Sequence, residues 1–317
     1  MKHTPIQFMR SGLRATTSRL LDHMDCITRK PWPADAPSRI APEACRVGIV
    51  IASYNTAEIL AGCLFSIFRI LGDPRVQRVV VVDNGSSDKS PEMLLAMQDA
   101  GLIEVIFNRG QRQHGPALNQ GINHLCRKQL NHPEQSRCNL IWILDSDAWI
   151  LRADTLTASI DHLFKVDAAM AGEFLPSHMH PEIPGYIHPC SMLMNPAHIW
   201  RHPYPPFDRS GSPGLRMQKA LVARGAKRLN FPFMANQYVL HLGRSTLNML
   251  RQNNEQNHNL YEWSLSSFIP HYHGNKKGEA WHRSFLAQFQ AELGGGGLRN
   301  LASICQKTVR LELSIPS

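Results

Sequence analysis

The sequence predicts an α/β protein in which a mostly parallel β-sheet is flanked by helices. The main support comes from two apolar, β-branched runs, residues 78–88 (RVVVVDNGSSD) and residues 139–150 (NLIWILDSDAWI), each of which ends abruptly in carboxylates and small polar groups. Such runs are typical of buried parallel strands that end at the carboxyl edge of a sheet. Because ligands of these sheets bind just outside that edge, the acids are candidate binding residues.

The first half of the chain alternates strands and helices. Strands are predicted at residues 46–55, up to Asp83, at 102–107 and up to Asp145. Helices are predicted at residues 58–71, from an N-cap at Ser90 with Pro91 at the first helical position, and after the glycine-punctuated loop that starts at Asn108. This alternation indicates right-handed connections and a sheet covered on both faces.

The second half is less regular. Strands are predicted at residues 168–175, 187–195, 228–233 and 237–242, with a helix between Ser212 and Gly225. A run of four glycines at residues 294–297 predicts a hinge before a C-terminal amphipathic helix. We therefore divide the chain into a core at residues 45–250, an N-terminal extension at 1–44 and a C-terminal helical extension at 251–317.

The N-terminal extension combines a basic amphipathic helix with a proline-rich linker at residues 31–37. An apolar stripe recurs at helical spacing beside several arginines, and it consists of Leu13, Thr17, Leu20, Met24 and Ile27. One interpretation is a helix that lies on an acidic membrane surface. The other is a helix that packs on the core or on a partner subunit. Both interpretations remain open at this point.

Composition excludes several classes of protein. The chain has 317 residues, and no run approaches the ~20 apolar residues needed to span a bilayer. Three arginines interrupt any signal-peptide core, and the seven cysteines are scattered without a C-x-x-C pair, so we predict a cytoplasmic protein without a disulfide framework. The net charge of +9 favours anionic partners, but no basic block with interleaved aromatics indicates nucleic-acid binding.

The acids of the second run are spaced two residues apart. On an extended chain Asp145 and Asp147 point the same way while Ser146 faces away. Two carboxylates on one side suit a hard divalent cation that also holds diphosphate oxygens. A nucleotide–metal site is therefore predicted, although solvated acids or helix N-caps are the alternative.

Four motifs in order resemble the family-2 glycosyltransferases, which have the Rossmann-like GT-A fold. They are VGIVIASYN, VVVVDNGSSD, NRGQRQHGPALNQGI and the D-x-D strand end ILDSDAWI. The later segments CSMLMNP and HLGRSTL resemble the family's later strand and histidine-containing loop. The likeness covers residues 46–248 and implies a hexosyltransferase-type enzyme that uses a nucleotide-sugar.

The resemblance also implies roles for individual residues. Asp145 contacts ribose or metal-bound water, Asp147 ligates Mg²⁺ or Mn²⁺, and His241 is the late metal or diphosphate ligand. Asp83 bonds the base or ribose, although it is equally a residue type that caps its own turn. The remaining nucleotide-pocket residues are Ser53, Tyr54, Asn55, Asn84, Gly85 and Gly115.

The catalytic base is harder to place, because the family's Glu-Asp pair has no counterpart in SGSPGLRM. Asp208 is the first candidate and Glu173 the second. Arg112 and His114 have two interpretations, a position facing phosphate and a position on the surface, and both stay open here. The histidines of residues 174–189, which are His178, His180 and His188, lack helical metal-ligand spacing and are predicted on a loop over the acceptor pocket.

The predicted function is metal-dependent, inverting sugar transfer to a saccharide or glycolipid acceptor in surface-polysaccharide synthesis, at the cytoplasmic face of the membrane. One alternative is a catalytically weak relative that binds nucleotide-sugar or polymer. Another is a nucleotidyltransferase, which usually has a glycine-rich basic loop after its first strand. SYNTAEIL has neither the glycines nor the basic residues of such a loop.

Overall fold

The computed structural model describes residues 40–110, 113–129, 138–175, 177, 181–199, 207–208, 212–242 and 276–306. A seven-stranded sheet forms its centre, and a two-stranded sheet lies beside it. The strands of the larger sheet are β1 Val47–Ser53, β2 Val76–Asp83, β3 Glu104–Phe107, β4 Leu140–Asp145, β6 Met170–Phe174, β7 Ile187–Met194 and β8 Arg228–Asn230. The smaller sheet pairs β5 Ala148–Ile150 with β9 Val239–His241.

The larger sheet has the strand order β3-β2-β1-β4-β7-β6-β8. Strands β3, β2, β1 and β4 pair with one another in parallel, and β8 is parallel to β6. Strand β7 is antiparallel to both β4 and β6. The sheet is therefore mixed but mostly parallel, which confirms the predicted fold class.

Helices cover the sheet. They are α1 Ala57–Phe65, which continues as a π-helical turn Ser66–Leu71, α2 Ser90–Asp99, α3 His114–Gln129, α4 Thr155–Lys165, α5 Pro196–Ile199, α6 Leu215–Ala223 and α7 Lys276–Leu293. A 3₁₀ segment Gly294–Asn300 follows α7, and residues 301–306 are helical. No helix among these described residues is long and apolar enough to cross a membrane.

The central strands bury side chains on both faces, which explains their continuous apolar sequence. In β1, Val47, Ile49 and Ile51 pack into one apolar cluster together with α1 and α2, whereas Val50 and Ala52 pack into a second cluster together with α3. The alternation follows from the two-residue period of a strand. The sheet is thus held rigidly from both sides, and its carboxyl edge is a fixed platform.

Several strand bounds and one helix cap differ from the predictions; for example, the strand predicted at residues 228–233 ends at Asn230. Strand β3 begins at Glu104 rather than at residue 102, and Ser90 is not the N-cap of α2. The carboxylate of Asp88 accepts the backbone N–H of Ser90 at 2.9 Å and, through its other oxygen, that of Ala57 at 2.9 Å. One acid therefore satisfies the first turns of both α1 and α2, because a carboxylate has two acceptor oxygens.

The C-terminal part packs on the core within the residues described. Phe285 stacks on Trp149 at 5.0 Å between ring centroids, and Phe289 meets Phe65 edge-on at 5.1 Å. The predicted hinge is a kink at Gly297, with φ 55° and ψ −141°. Residues 1–39 lie outside the described residues, so the basic helix and the domain boundaries stay predictions.

Candidate active site

Three adjacent strands bring the predicted acids to one edge of the sheet. Ser53 at the end of β1 pairs with Asp83 at the end of β2, and Ala52 pairs with Asp145 at the end of β4. Because the three strands are parallel neighbours, their carboxyl ends meet at the same edge. The sequence-predicted site residues Asp83 and Asp145 are therefore brought together as expected.

A potential metal-ligand cluster forms where the two sheets meet. His241 Nε2 lies 3.4 Å from Asp145 Oδ2 and 3.2 Å from Asp147 Oδ1, and the three ligand atoms all lie within 4.8 Å of one another. Antiparallel pairing of β5 with β9 sets Ala148 opposite His241, which explains how a residue so distant in sequence reaches the D-x-D segment. The predicted ligand set is thus assembled.

Two further histidines border this cluster. His114, the first residue of α3, has its Nε2 3.2 Å from Asp145 Oδ1. The ring centroid of His188 on β7 lies 5.9 Å from that of His241. His188 falls where two predictions overlap, the loop at residues 174–189 and the strand at residues 187–195. The structure places it on the strand, beside the cluster. Antiparallel pairing of β7 with β4 would have indicated this position, since Leu144 pairs with Ser191 and β7 continues past the end of β4.

The cluster has unusual electrostatics. Burial alone would raise the pKa of Asp145, but His114 and His241 hold it well below its ordinary value. Burial would lower the pKa of His241, yet Asp147 and Asp145 raise it well above its ordinary value. Burial lowers the pKa of His188 to about 4, so that ring is neutral. The two carboxylates thus attract positive charge, which in a metal-free protein is a proton on His241.

The side chains of this cluster fit a divalent cation, and the site also contains buried polar atoms without a bond. Asp145 Oδ1, His114 Nε2 and His241 Nδ1 are buried, and within the described part of the chain none has an aligned hydrogen-bond partner. His114 and Asp145 are close enough to bond, at 3.2 Å, but their geometry is wrong for it. Carboxylate oxygens with an imidazole nitrogen are a donor set that Mn²⁺ accepts readily. Asp145, Asp147 and His241 would hold the ion.

Asp83 caps its own turn through one carboxylate oxygen, and its contact with base or ribose stays a prediction. Its Oδ2 accepts the backbone N–H groups of Gly85 at 3.2 Å and Ser86 at 3.0 Å, which stabilises the turn. Its Oδ1 is buried without a hydrogen-bond partner among the described residues. Gly85 has φ +80°, and a Cβ there would lie 3.0 Å from the backbone of Gly110. The turn therefore needs glycine, while Asp83 keeps one oxygen for a ligand.

The other predicted nucleotide residues shape the pocket through hydrogen bonds of their own. Ser53 Oγ lies 3.0 Å from Thr56 Oγ1 and is buried. Asn55 has φ +51°, and its Oδ1 accepts the Ser87 N–H at 2.7 Å. Asn84 Oδ1 accepts a bond from Asn108 at 3.0 Å. These bonds fix the loops at the sheet edge. Contacts of Ser53, Tyr54, Asn55 and Asn84 with nucleotide stay predictions.

Gly115 has a packing role that was not predicted. A Cβ on this residue would lie 2.0 Å from the carbonyl oxygen of Asp208. One turn further along α3, the Asn119 side chain donates to the Phe207 carbonyl at 3.0 Å and accepts the Phe207 N–H at 2.9 Å. Helix α3 therefore anchors the segment that contains Asp208. A nucleotide contact by Gly115 stays a prediction.

Both candidate bases support the backbone nearby. Asp208 Oδ2 accepts the Arg216 N–H at 3.2 Å in the first turn of α6. Glu173 Oε2 accepts two backbone N–H groups, from Met234 at 2.5 Å and Ala235 at 3.1 Å. Burial raises the pKa of the Tyr186 phenol, and the nearby charge of Asp208 raises it further. The role of either acid as base stays a prediction.

One family model matches part of the chain. Residues 48–176 match the family model described as Glycosyl transferase family 2. The match covers less than half of the 317 residues, and it is to the family that the sequence motifs resemble. The matched residues include nearly all of β1 to β6, with Asp83, Asp145 and Asp147. Over these residues the match agrees with the predicted family and enzyme class. No curated protein matches the chain.

Two solved structures are similar to this chain at low identity. A mannosyltransferase, PcManGT from Pyrobaculum calidifontis, in complex with GDP-Man and Mn²⁺, is 14% identical, with 96% of this chain and 91% of that chain covered and a TM-score of 0.49. TarS of S. aureus, in complex with UDP-GlcNAc, is 13% identical, with 84% and 89% covered and a TM-score of 0.43. The family assignment rests on the sequence match rather than on these TM-scores.

Proposed function

We propose that this chain is a glycosyltransferase that moves a sugar, with inversion, from a nucleotide-sugar to a hydroxyl of a saccharide or glycolipid acceptor, and that it requires Mn²⁺ or Mg²⁺. Surface-polysaccharide synthesis is the proposed setting. The observation that supports this most is the convergence of Asp145, Asp147 and His241 at the sheet edge where Asp83 Oδ1 is also available.

The donor side follows from charge. Two like charges ~4 Å apart cost about 4 kcal/mol at an effective dielectric near 20, so Asp145 and Asp147 would repel a diphosphate on their own. When bound there, a divalent cation removes that repulsion and stabilises the negative charge of the departing nucleoside diphosphate. Asp83 Oδ1 accepts a hydrogen bond from the base or the ribose. Asp83 thereby orients the donor, while the second carboxylate oxygen keeps the turn in place.

The acceptor side needs a group that removes a hydroxyl proton as the oxygen attacks the anomeric carbon. Asp208 is the first choice, because it is buried and its charge acts on Tyr186 together with that of Asp145. Glu173 is the second choice, because its Oε2 already holds two backbone N–H groups. A single displacement with one base gives inversion.

The basic residues of the N-terminal extension suit binding to an acidic membrane surface. We propose that residues 1–44 hold the enzyme at the acidic inner face of the membrane, near a glycolipid acceptor, with about 1 kcal/mol from each basic residue at the surface. Deleting residues 1–44 should abolish sedimentation with anionic vesicles and leave donor binding intact. If the full-length protein ignores such vesicles at low salt, the extension is a packing element.

A panel of nucleotide-sugars tests the function directly. It should include GDP-mannose and UDP-N-acetylglucosamine, with saccharide and lipid-linked acceptors, and the readouts are Mn²⁺-dependent release of nucleoside diphosphate and the anomeric configuration of the product. Donor binding without product on every acceptor would favour the catalytically weak relative. Pyrophosphate release from a nucleoside triphosphate and a sugar phosphate would show a nucleotidyltransferase.

A further inference from the structure

His188 is held in one tautomer by its own strand. The backbone N–H of Cys190 donates to His188 Nδ1 at 3.2 Å. A ring nitrogen that accepts a hydrogen bond must keep its lone pair, so in the neutral ring the hydrogen is on Nε2. The side chain therefore presents an N–H donor, and no lone pair, on the side of the ring away from β7.

The position of His188 determines which groups can accept a hydrogen bond from its Nε2–H. Its ring centroid lies 5.9 Å from that of His241, whose Nε2 is within 3.4 Å of both Asp145 and Asp147. The His188 residue is partly accessible, whereas the strand residues on either side of it are buried. The His188 N–H group therefore lies at the edge of the metal-ligand cluster. A molecule bound to the cation would lie close to this N–H group.

We propose that His188 donates a hydrogen bond from Nε2 to a diphosphate oxygen of the nucleotide-sugar and is not itself a metal ligand. The inference rests on the proposed function for the identity of the ligand. A protonated Nε2 has no lone pair to give to a cation. A diphosphate held by that cation would present its remaining oxygens to this side, and these are strong acceptors.

The bond should strengthen during the reaction. Negative charge grows on the diphosphate as the sugar leaves, so a fixed N–H donor stabilises the transition state more than the bound donor substrate. Removing it should therefore lower turnover more than affinity. Substitution of a residue that only supports the fold would not lower turnover selectively relative to affinity.

Two substitutions at this position separate the donor from the ring. His188→Phe keeps a planar ring and removes the N–H, whereas His188→Gln keeps an N–H donor on a chain of similar reach. We expect His188→Phe to lower turnover by roughly 10²-fold, by analogy with loss of one oxyanion-hole donor. Affinity for nucleoside diphosphate with Mn²⁺ should fall less, and His188→Gln should recover most of the turnover.

Binding of Mn²⁺ alone provides a readout that does not depend on activity. Calorimetric affinity for Mn²⁺ should be unchanged in both variants, because neither removes a ligand. A tenfold or larger loss in His188→Phe would overturn the inference, since the ring would then be a ligand or would hold a ligand in place. Turnover by His188→Phe equal to that of the natural protein would also overturn it.

Histidine ¹⁵N spectra of the full chain test the tautomer without any substrate. The His188 signals, assigned by their loss in His188→Phe, should show a neutral ring protonated on Nε2, and protonation on Nδ1 would overturn the inference. If the natural protein forms no product with any donor, the proposed function fails. The spectra and Mn²⁺ affinities then still decide whether His188 is a neutral donor outside the ligand set.

Discussion

The two halves of the sheet contribute different groups by different rules. In the first half, β1, β2 and β4 are parallel neighbours, and each ends at the point where a polar residue is needed, such as Asp83 or Asp145. In the second half, His188 and His241 arrive on antiparallel strands that pair across long distances in sequence. Acids are thus placed by local strand ends, and imidazoles by tertiary pairing.

The difference shows how the site divides its work. Under the proposed function, the acids of the first half would attract a cation and orient a nucleotide. The second half would supply the neutral and ionisable groups around the leaving phosphate and the acceptor. Neither half holds a complete site, since the ligand cluster needs His241 beside Asp145 and Asp147. Substitutions can therefore test each half separately and the junction between them.

The largest effect is expected at the junction. Asp147→Ala removes one of the carboxylates that would hold the cation, so nucleotide-sugar binding that depends on Mn²⁺ should be lost, at a cost of several kcal/mol. Calorimetry with and without chelator measures this. Asp154→Asn is the matched control, because that acid is exposed and paired with Arg152. Unchanged affinity in Asp147→Ala would contradict the metal assignment.

The two candidate bases lie in the second half, and their substitution should affect the chemical step rather than donor binding. Asp208→Asn should lower turnover ~10²–10⁴-fold with little change in donor affinity, because a base acts on the transition state. Glu173→Gln is the comparison, since this side chain supports two backbone N–H groups. Donor affinity and turnover should be measured on both variants. Full turnover in Asp208→Asn with loss in Glu173→Gln would move the base to Glu173.

The same contrast explains how much could be predicted from sequence. Strands β1, β2 and β4 and the acids at their ends follow from apolar runs that stop at polar residues, which is local information. The roles of Gly115 and His188 depend on which distant segment lies opposite, and no periodicity encodes that. A serine before a proline predicts Ser90 as the N-cap of α2. In the structure Ser90 is the first residue of that helix, and its N–H, like that of Ala57 in α1, donates to the carboxylate of Asp88.

The two halves are also joined at Gly115, and a methyl group there should separate them. In Gly115→Ala the new Cβ would lie 2.0 Å from the Asp208 carbonyl oxygen, so the segment must move. We expect about 1–3 kcal/mol of lost unfolding free energy and reduced turnover. Gly110→Ala is the control, because a Cβ there meets nothing within 4 Å. Denaturation of both variants in parallel checks this, and equal stability would show that the segment yields freely.

In the first half, Asp83→Asn separates the two oxygens of one carboxylate. The amide oxygen can still accept the Gly85 and Ser86 N–H groups, so stability should change little. The amide nitrogen cannot accept a bond from base or ribose, so donor affinity should fall about tenfold to a hundredfold, or ~1–3 kcal/mol. Calorimetric affinity and thermal unfolding, measured together, decide between the two roles. Normal affinity would show that Asp83 only caps its turn.

The smallest effect expected is a pH dependence that links the two halves. Asp147 and Asp145 raise the pKa of His241 well above its ordinary value of 6.5, so the metal-free protein holds a proton where the cation would bind. Mn²⁺ must displace that proton, and its affinity should therefore rise about tenfold per pH unit below the folded pKa. In the metal-free protein, folding stability changes with pH in the opposite direction to Mn²⁺ affinity. The stability from His241 is fully present below pH 6.5 and is lost as pH rises through the folded pKa.

Calorimetry at several pH values with Mn²⁺ alone measures the slope. His241→Asn should bind Mn²⁺ more weakly and with a flatter pH dependence, because its amide oxygen has no proton to lose. His114→Asn keeps the ionisable His241 side chain and removes the neighbouring imidazole that faces Asp145. If the slope survives in His241→Asn and disappears in His114→Asn, the competing proton belongs to the first half. Strand β9 would then have a structural role at the site and would not supply a metal ligand.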